Sequence, residues 1–247
     1  MNPSSLYEQS HKLRGIVKYV YKKTGQAIFD YQMIEENDRV LLGLSGGVDS
    51  FSLLQVLLMR RIKIPYHFEL FAVYVRVPWI KDESKILASY LKQYGIELII
   101  KDIDIAGEEI TCFWCSWNRR KIFFELADEL SCRKIALGHN LDDIVESILM
   151  NLYFHGEISA LVPKQSFFGG KLFIIRPFAY VEKKDILRFA KSFAFPPLEA
   201  FCPYAKNSQR QAVKEQLASL ASRFPHIKKN IFRALSRKKL KVNYLLS

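Results

Sequence analysis

The sequence predicts an α/β fold with a doubly wound, mostly parallel sheet, an N-terminal helix and a helical C-terminal appendage. Three observations carry this prediction. Short apolar runs alternate with segments of helical spacing, and a glycine-rich turn joins the first run to the helix after it. After Pro196-Pro197 the pattern becomes polar, basic and helical, which sets the appendage apart.

Each element follows from the spacing of its apolar residues. An amphipathic helix is expected at 7–31. Strands are expected at 39–44, 68–77, 96–103, 134–138 and 172–176. Helices are expected at 50–61, 82–94, 113–130, 140–154, 183–193, 208–222 and 226–240. These elements predict three segments: an N-terminal helical arm (1–34), an α/β domain (35–197) and a basic helical region (198–247).

The charge balance points to a polyanionic partner. The chain of 247 residues carries 37 Lys and Arg against 25 Asp and Glu, for a net charge of +12. Basic clusters recur near both ends, which favours nucleic acid over a merely solvated surface. No apolar run approaches the roughly 18 residues of a membrane span, and the N-terminus lacks a signal-peptide core. We therefore expect a soluble, cytoplasmic protein with no membrane contact.

The glycine-rich turn has the composition of a phosphate-binding loop. It comprises Ser45, Gly46, Gly47, Val48, Asp49 and Ser50. Backbone N–H groups at the glycines can close on an anion, the serines add hydroxyl donors, and the following helix directs its positive end there. Asp49 is suited to hold Mg²⁺ against the phosphates. Two glycines alone would favour a ligand-free turn, but the whole motif between a strand and a helix favours a nucleotide-binding loop. The motif differs from the Walker pattern of other nucleotide-binding loops.

The cysteines form a second candidate site. Cys112 and Cys115 open a predicted helix, and Cys202 lies far downstream. In a reducing cytosol this pattern indicates metal or redox chemistry. Three thiolates fit either zinc, with His139 or His155 as the fourth ligand, or a 4Fe-4S cluster with one iron open to a non-protein ligand. A fourth cysteine, Cys132, begins a strand and is expected to be a buried core thiol.

Further candidates follow the later strands. Residues 138–143 read as a strand end, a turn and a helix whose first turn carries two carboxylates, which also suit the helix dipole. Arg176 follows a strand and would present its guanidinium at the carboxyl edge of the sheet; a surface salt bridge is the alternative. Trp114 and Trp117, beside the cysteines, would stack a flipped base or fill the core.

In their order along the chain these motifs resemble those of the tRNA 2-thiocytidine synthetases, a subgroup of the pyrophosphate-loop (PP-loop) N-type ATP pyrophosphatases. The resemblance covers roughly residues 35–220. The matching segments are 45–50, 112–116 with Arg119 and Arg120, 136–143, 175–180, 184–186, and Cys202 with 207–211.

The resemblance implies the fold of the adenine nucleotide alpha hydrolases and ATP-dependent thiolation of a cytidine in the tRNA anticodon loop, at position 32. ATP and Mg²⁺ would adenylate O2, releasing pyrophosphate, and sulfur carried by a 4Fe-4S cluster on Cys112, Cys115 and Cys202 would replace it. A cysteine desulfurase as sulfur donor and a homodimer are implied as well. The implied catalytic residues are Asp49, His139, Asp143 and the three cysteines; the implied nucleotide-binding residues are Ser45, Gly46, Gly47, Asp49, Ser50, Gly138 and Arg176.

Three departures from the family pattern leave alternatives open. Val48 stands where these thiolases usually carry lysine, so Mg²⁺ or another cation, such as Arg176, would have to replace that charge. Glu199 replaces a second downstream cysteine, and Asn140 replaces a frequent histidine. The alternatives are another PP-loop tRNA enzyme of the 2-thiouridine or lysidine type, an enzyme that adenylates a small molecule, and a noncatalytic tRNA-binding or cluster-sensing paralogue.

Overall fold

The computed structural model describes residues 13–104, 111–196 and 209–236. In chain order the elements are α1 (Gly15–Asp30), β1 (Asp38–Leu44), α2 (Val48–Lys63), β2 (Phe68–Arg76), α3 (Ser84–Lys92), β3 (Leu98–Asp102), α4 (Cys112–Glu129), β4 (Lys134–Ala136), α5 (Leu141–Met150), β5 (Lys164–Phe167), β6 (Leu172–Ile175), α6 (Lys183–Ala190), α7 (Gln209–Arg223) and α8 (Ile227–Ser236). A π-helical turn (Asn151–His155) extends α5. The predicted α/β class is confirmed.

The chain forms two compact units. The sheet unit comprises residues 1–140 and 163–205, and the helical unit comprises residues 141–162 and 206–247. This division differs from the three segments predicted from the sequence. The N-terminal helix belongs to the sheet unit, and one segment inside the predicted α/β domain belongs to the helical unit.

The sheet has six strands in the order β3-β2-β1-β4-β6-β5. The five predicted strands are all present and pair in parallel. The sixth strand, β5, was not predicted; it pairs antiparallel with β6 at the edge of the sheet. Because the strand order reverses beside β1, the loops after β1 and β4 meet at the carboxyl edge, where ligands bind in open α/β sheets.

The first strand and the helix after it form the centre of the sheet unit. Val40, Leu41 and Leu42 are fully buried, as a central parallel strand covered on both faces requires. Helix α2 is buried along most of its length, so its apolar residues surround the helix and do not form a single stripe. Helix α4 covers the sheet through Leu126 and Ala127. The loop between β1 and α2 is therefore anchored at both ends.

Helix α1 is tied to α2 by a buried arginine. The Arg60 guanidinium, on α2, donates to the carbonyl of Tyr21 at 2.9 Å and lies 4.5 Å from the centroid of its ring. Burial lowers the pKa of Arg60 from its ordinary value. An arginine still keeps its charge, so the contact combines a hydrogen bond with a cation–π interaction.

Ion pairs join the helices of the helical unit. Arg210 of α7 pairs with Asp143 and, at 3.0 Å, with Glu146, both on α5. Lys228 of α8 pairs with Asp142. The Glu146 side chain is only 8% exposed, and burial raises its pKa despite the opposing effect of Arg210. None of the helices in the described ranges has both the length and the hydrophobicity needed to cross a membrane.

Replacing Arg210 with methionine should destabilise the helical unit by about 2 kcal/mol at pH 7.5, because Glu146 would keep a buried charge without its partner. The pKa of Glu146 is raised in the folded state, so the contribution of Glu146 to the free energy of unfolding falls as pH rises through that pKa. Removing Arg210 would raise the folded-state pKa of Glu146 further. Urea unfolding should therefore show a smaller loss at pH 5 than at pH 7.5.

Arg223→Met is a matched control, since Arg223 is exposed on the same helix and lies over the ring of Phe224. We expect this control to cost less than about 0.5 kcal/mol at either pH. An equal loss of stability at both pH values in Arg210→Met would contradict the role given to Glu146.

Candidate active site

The loop after β1 is shaped to hold an anion. Gly46 has φ of +78°, a left-handed conformation that favours glycine, and Gly47 caps α2 without a side-chain hydrogen bond. The Ser50 hydroxyl donates to the Gly47 carbonyl at 2.8 Å, and the Ser45 hydroxyl accepts from the Gly47 N–H at 3.3 Å. The two serines thus brace the turn that exposes the first N–H groups of α2.

Gly138 lies against the backbone of this loop. A Cβ atom there would sit 3.1 Å from the carbonyl carbon of Asp49 and 3.1 Å from the nitrogen of Ser50. The end of β4 therefore packs on the start of α2 so closely that only glycine fits without movement. The loop is supported from the next strand of the sheet.

Gly138→Ala should weaken ATP binding about tenfold by displacing the loop, because small displacements at a reacting centre cost much of the positioning energy. The control is Gly95→Ala, where a Cβ meets nothing within 4 Å but φ is +66°. That control should cost about 1–2 kcal/mol of stability and leave ATP binding unchanged. Isothermal titration with a nonhydrolysable ATP analogue measures the ATP affinity of both variants, and urea unfolding measures their stability. Equal ATP affinity in both variants would contradict the packing argument.

Asp49 forms an ion pair that its sequence neighbourhood does not predict. Its Oδ2 lies 2.6 Å from Nζ of Lys183, the first residue of α6. Both side chains are partly exposed, at 28% for Asp49 and 36% for Lys183. Lys183 lies directly before the segment 184–186 singled out in the sequence, but nothing in the local pattern places it beside residues 45–50.

The two described cysteines open helix α4. Thr111 caps this helix by accepting from the backbone N–H of Trp114 at 3.0 Å. Cys112 is exposed and Cys115 is half-buried, three residues later on the same side of the helix. Thiolate is the form of cysteine that binds iron. Cys202 lies outside the described residues, and within them no group of three metal-binding side chains occurs.

The aromatic residues around the cysteines divide into two groups. Trp114 packs on the core with its ring centroid 6.3 Å from that of Trp79, which follows β2. Phe113 and Trp117 are exposed, at 78% and 53%. The core interpretation therefore fits Trp114, whereas Trp117 is on the surface. Trp79 also lines a cavity of about 500 Å³ at the carboxyl end of β2.

The remaining candidates lie in different settings. His139 is half-buried directly after Gly138. Arg176 is only 2% exposed and donates to the Gln165 side chain at 3.3 Å, so it is not the surface salt bridge considered as an alternative. Asp143 belongs to the helical unit, where it pairs with Arg210. The structure thus brings together Ser45, Gly46, Gly47, Asp49, Ser50 and Gly138.

Cys132 is a core residue, as predicted. It is 3% exposed and packs in the cluster between the sheet and α4. Burial raises the pKa of its thiol to about 11. This cysteine stays protonated near neutral pH and is not part of the site.

Comparison with known proteins places the chain in a family. A family model described as the PP-loop domain matches residues 17–219. The tRNA-cytidine(32) 2-sulfurtransferase of Aeromonas hydrophila subsp. hydrophila is 37% identical over 237 residues, covering 92% of this chain and 78% of that protein. The protein of that name from Paracidovorax citrulli is 39% identical over 236 residues, covering 92% and 75%.

One solved structure, that of a different tRNA thiolase, has a similar fold. The U34-tRNA thiolase from Methanococcus maripaludis, determined with its 4Fe-4S cluster, superposes with a TM-score of 0.76 at 25% identity, covering 90% of this chain and 78% of that one. The resemblance inferred from the motifs is confirmed: the chain belongs to the PP-loop family and, within it, to the tRNA-cytidine(32) 2-sulfurtransferases.

Proposed function

We propose that this protein is an ATP-dependent tRNA sulfurtransferase that replaces O2 of a cytidine in the anticodon loop, at position 32, with sulfur. The observation that carries the proposal is the arrangement of the sheet unit. A phosphate-binding loop and a cysteine pair both follow strands of one parallel sheet, so both lie at its carboxyl edge. The relatives at 37% and 39% identity bear the name of this activity.

In the first step cytidine O2 attacks the α-phosphorus of ATP, and the bond to pyrophosphate breaks. The backbone N–H groups of the loop would donate hydrogen bonds to the departing pyrophosphate, and Ser45 and Ser50 brace the turn that presents them. Asp49 is the residue that would hold Mg²⁺, which supplies charge neutralisation when bound. Gly138 keeps the loop in position. We assign His139 and Arg176 to the nucleotide site on the family resemblance.

In the second step the C2–O2 bond breaks as a C2–S bond forms, and AMP leaves with the oxygen. Cys112 and Cys115 fit as cluster ligands, because they place one exposed and one half-buried thiol about one turn apart at the start of a helix. We propose Cys202 as the third ligand. When bound, a cluster with three protein thiolates supplies an iron that can carry the sulfur to be transferred.

The charge of the sheet unit suits tRNA. Lys18 and Lys22 are exposed on α1, and Arg120 and Lys121 are exposed on α4 within two turns of Cys115. Such side chains bind phosphates without reading sequence. Exposed Phe113 and Trp117 offer rings for a base turned out of the loop. A cysteine desulfurase as donor, a homodimer and a cytoplasmic location are further proposals that rest on the family resemblance.

The test measures iron, acid-labile sulfide and zinc in anaerobically purified protein, then 2-thiocytidine and 2-thiouridine in tRNA incubated with ATP, Mg²⁺ and a sulfide source. We expect about four irons per chain, matching sulfide, and ATP-dependent 2-thiocytidine. Zinc in place of iron would exclude the cluster mechanism. Formation of 2-thiouridine alone would assign the protein to the other type of thiolation, the one named for the Methanococcus maripaludis structure.

A further inference from the structure

The phosphate-binding loop carries no positive side chain of its own. Of residues 45–50 only Asp49 ionises, and its charge is negative. Backbone N–H groups and the α2 dipole add only partial positive charge. A nucleoside triphosphate entering this loop therefore meets a carboxylate, and a cation from another part of the sheet unit would stabilise the phosphates in addition to any Mg²⁺.

Lys183 is placed to be that cation. Its Nζ lies 2.6 Å from the carboxylate of Asp49, which is one residue from Ser50 of the loop. Helix α6 is held in place because Ile186 and Phe189 are fully buried and the helix packs against α2. The backbone of Lys183 is thereby fixed, while its four-carbon stem lets the ammonium move between neighbouring anions.

The ion pair itself does not account for the position of Lys183. A lysine–carboxylate pair exposed to this degree adds little to stability. Two other cations lie on the same stretch of chain. Arg176 is buried and bonded to Gln165, and Lys184 pairs with Glu182 at 2.9 Å with 66% of its side chain exposed. Lys183 is the one of these three that contacts the loop.

We propose that Lys183 binds the phosphates of ATP, leaving Asp49 for a phosphate oxygen when nucleotide enters and stabilising the departing pyrophosphate. In this exchange the Lys183 ammonium leaves one anion, the Asp49 carboxylate, and pairs with another, the phosphate. Asp49 then becomes available to Mg²⁺. This inference deepens the proposed function and rests on it for the identity of ATP as substrate.

The experiment titrates inorganic pyrophosphate, and separately a nonhydrolysable ATP analogue, into the full-length, anaerobically purified protein in EDTA without tRNA. Four proteins are compared: wild type, Lys183→Met, Asp49→Asn, and the double variant. The double variant measures the effect of removing Lys183 on anion binding when its ion pair with Asp49 is already absent. Lys184→Met is the matched control for loss of one positive charge at the adjacent position.

We expect Lys183→Met to weaken pyrophosphate binding about tenfold or more, both in wild type and in the Asp49→Asn background, since a charge-assisted hydrogen bond is lost. Lys184→Met should stay within about twofold. Equal affinity of Asp49→Asn and the double variant would overturn the proposal and leave Lys183 as a partner of Asp49 only. A wild type that binds pyrophosphate but forms no 2-thiocytidine would refute the proposed function and leave this inference intact.

Discussion

Cys115→Ser is expected to abolish 2-thiocytidine formation, with iron lost from the purified protein and nucleotide binding retained. Serine keeps the size of the side chain but replaces the thiolate with a hydroxyl that stays protonated and binds iron poorly. The loop at residues 45–50 is a separate structure after β1. The affinity for a nonhydrolysable ATP analogue should therefore stay within about twofold, or about 0.4 kcal/mol.

Cys132→Ala is the matched control for removing a cysteine. Cys132 is buried in the core, so this change should cost about 1 kcal/mol of stability and leave iron content and thiolation unchanged. Iron retained in Cys115→Ser together with wild-type thiolation would remove Cys115 from the ligand set. Loss of iron in Cys132→Ala would show that iron content reports on stability and not on ligation.

Asp49→Asn is expected to lower ATP-dependent pyrophosphate release about a hundredfold or more, which is the scale of removing one strong electrostatic element from a reacting centre. Asparagine keeps the shape and the hydrogen-bonding oxygen but loses the charge that we propose holds Mg²⁺. The dependence on Mg²⁺ should separate this effect from damage to the loop. Pyrophosphate release is measured over a range of Mg²⁺ concentrations.

The same variant should bind inorganic pyrophosphate in EDTA at least as tightly as wild type, because a negative charge beside the anion has been removed. Catalysis and metal-free anion binding are thus predicted to change in opposite directions. If both fall together, the loop has been distorted and Asp49 is a structural residue. If neither changes, Asp49 does not hold the metal.

The main elements of the fold could be predicted because the spacing of their apolar residues reflects which faces of each helix or strand are buried. The strands of a covered parallel sheet are nearly continuous apolar runs, as at Leu41 and Leu42, and such runs stand out in a sequence. Strand β5 was not predicted because Lys164, Gln165 and Ser166 are polar residues at a sheet edge. Its pairing depends on β6, which comes later in the chain, and not on its own composition.

The candidate site could be predicted only where its residues are adjacent in sequence. Residues 45–50 and the pair Cys112 and Cys115 carry their spacing within a few positions. Lys183 was missed because its contact with Asp49 joins residues 134 positions apart. The family resemblance implies that Asp143 is a catalytic residue. That role stays a prediction, and the structure adds an ion pair with Arg210 that only the packing of α7 reveals.

Burial of Cys132, which raises the pKa of its thiol to about 11, also protects this sulfur atom from reagents in solution. An electrophile near neutral pH is attacked by thiolate, and a thiol that remains protonated and enclosed reacts slowly. Alkylating agents, peroxide and persulfide donors should therefore react only slowly with Cys132 in the folded protein. Mass spectrometry after brief alkylation would find Cys132 labelled only once the core opens, which makes this side chain an internal reporter of unfolding.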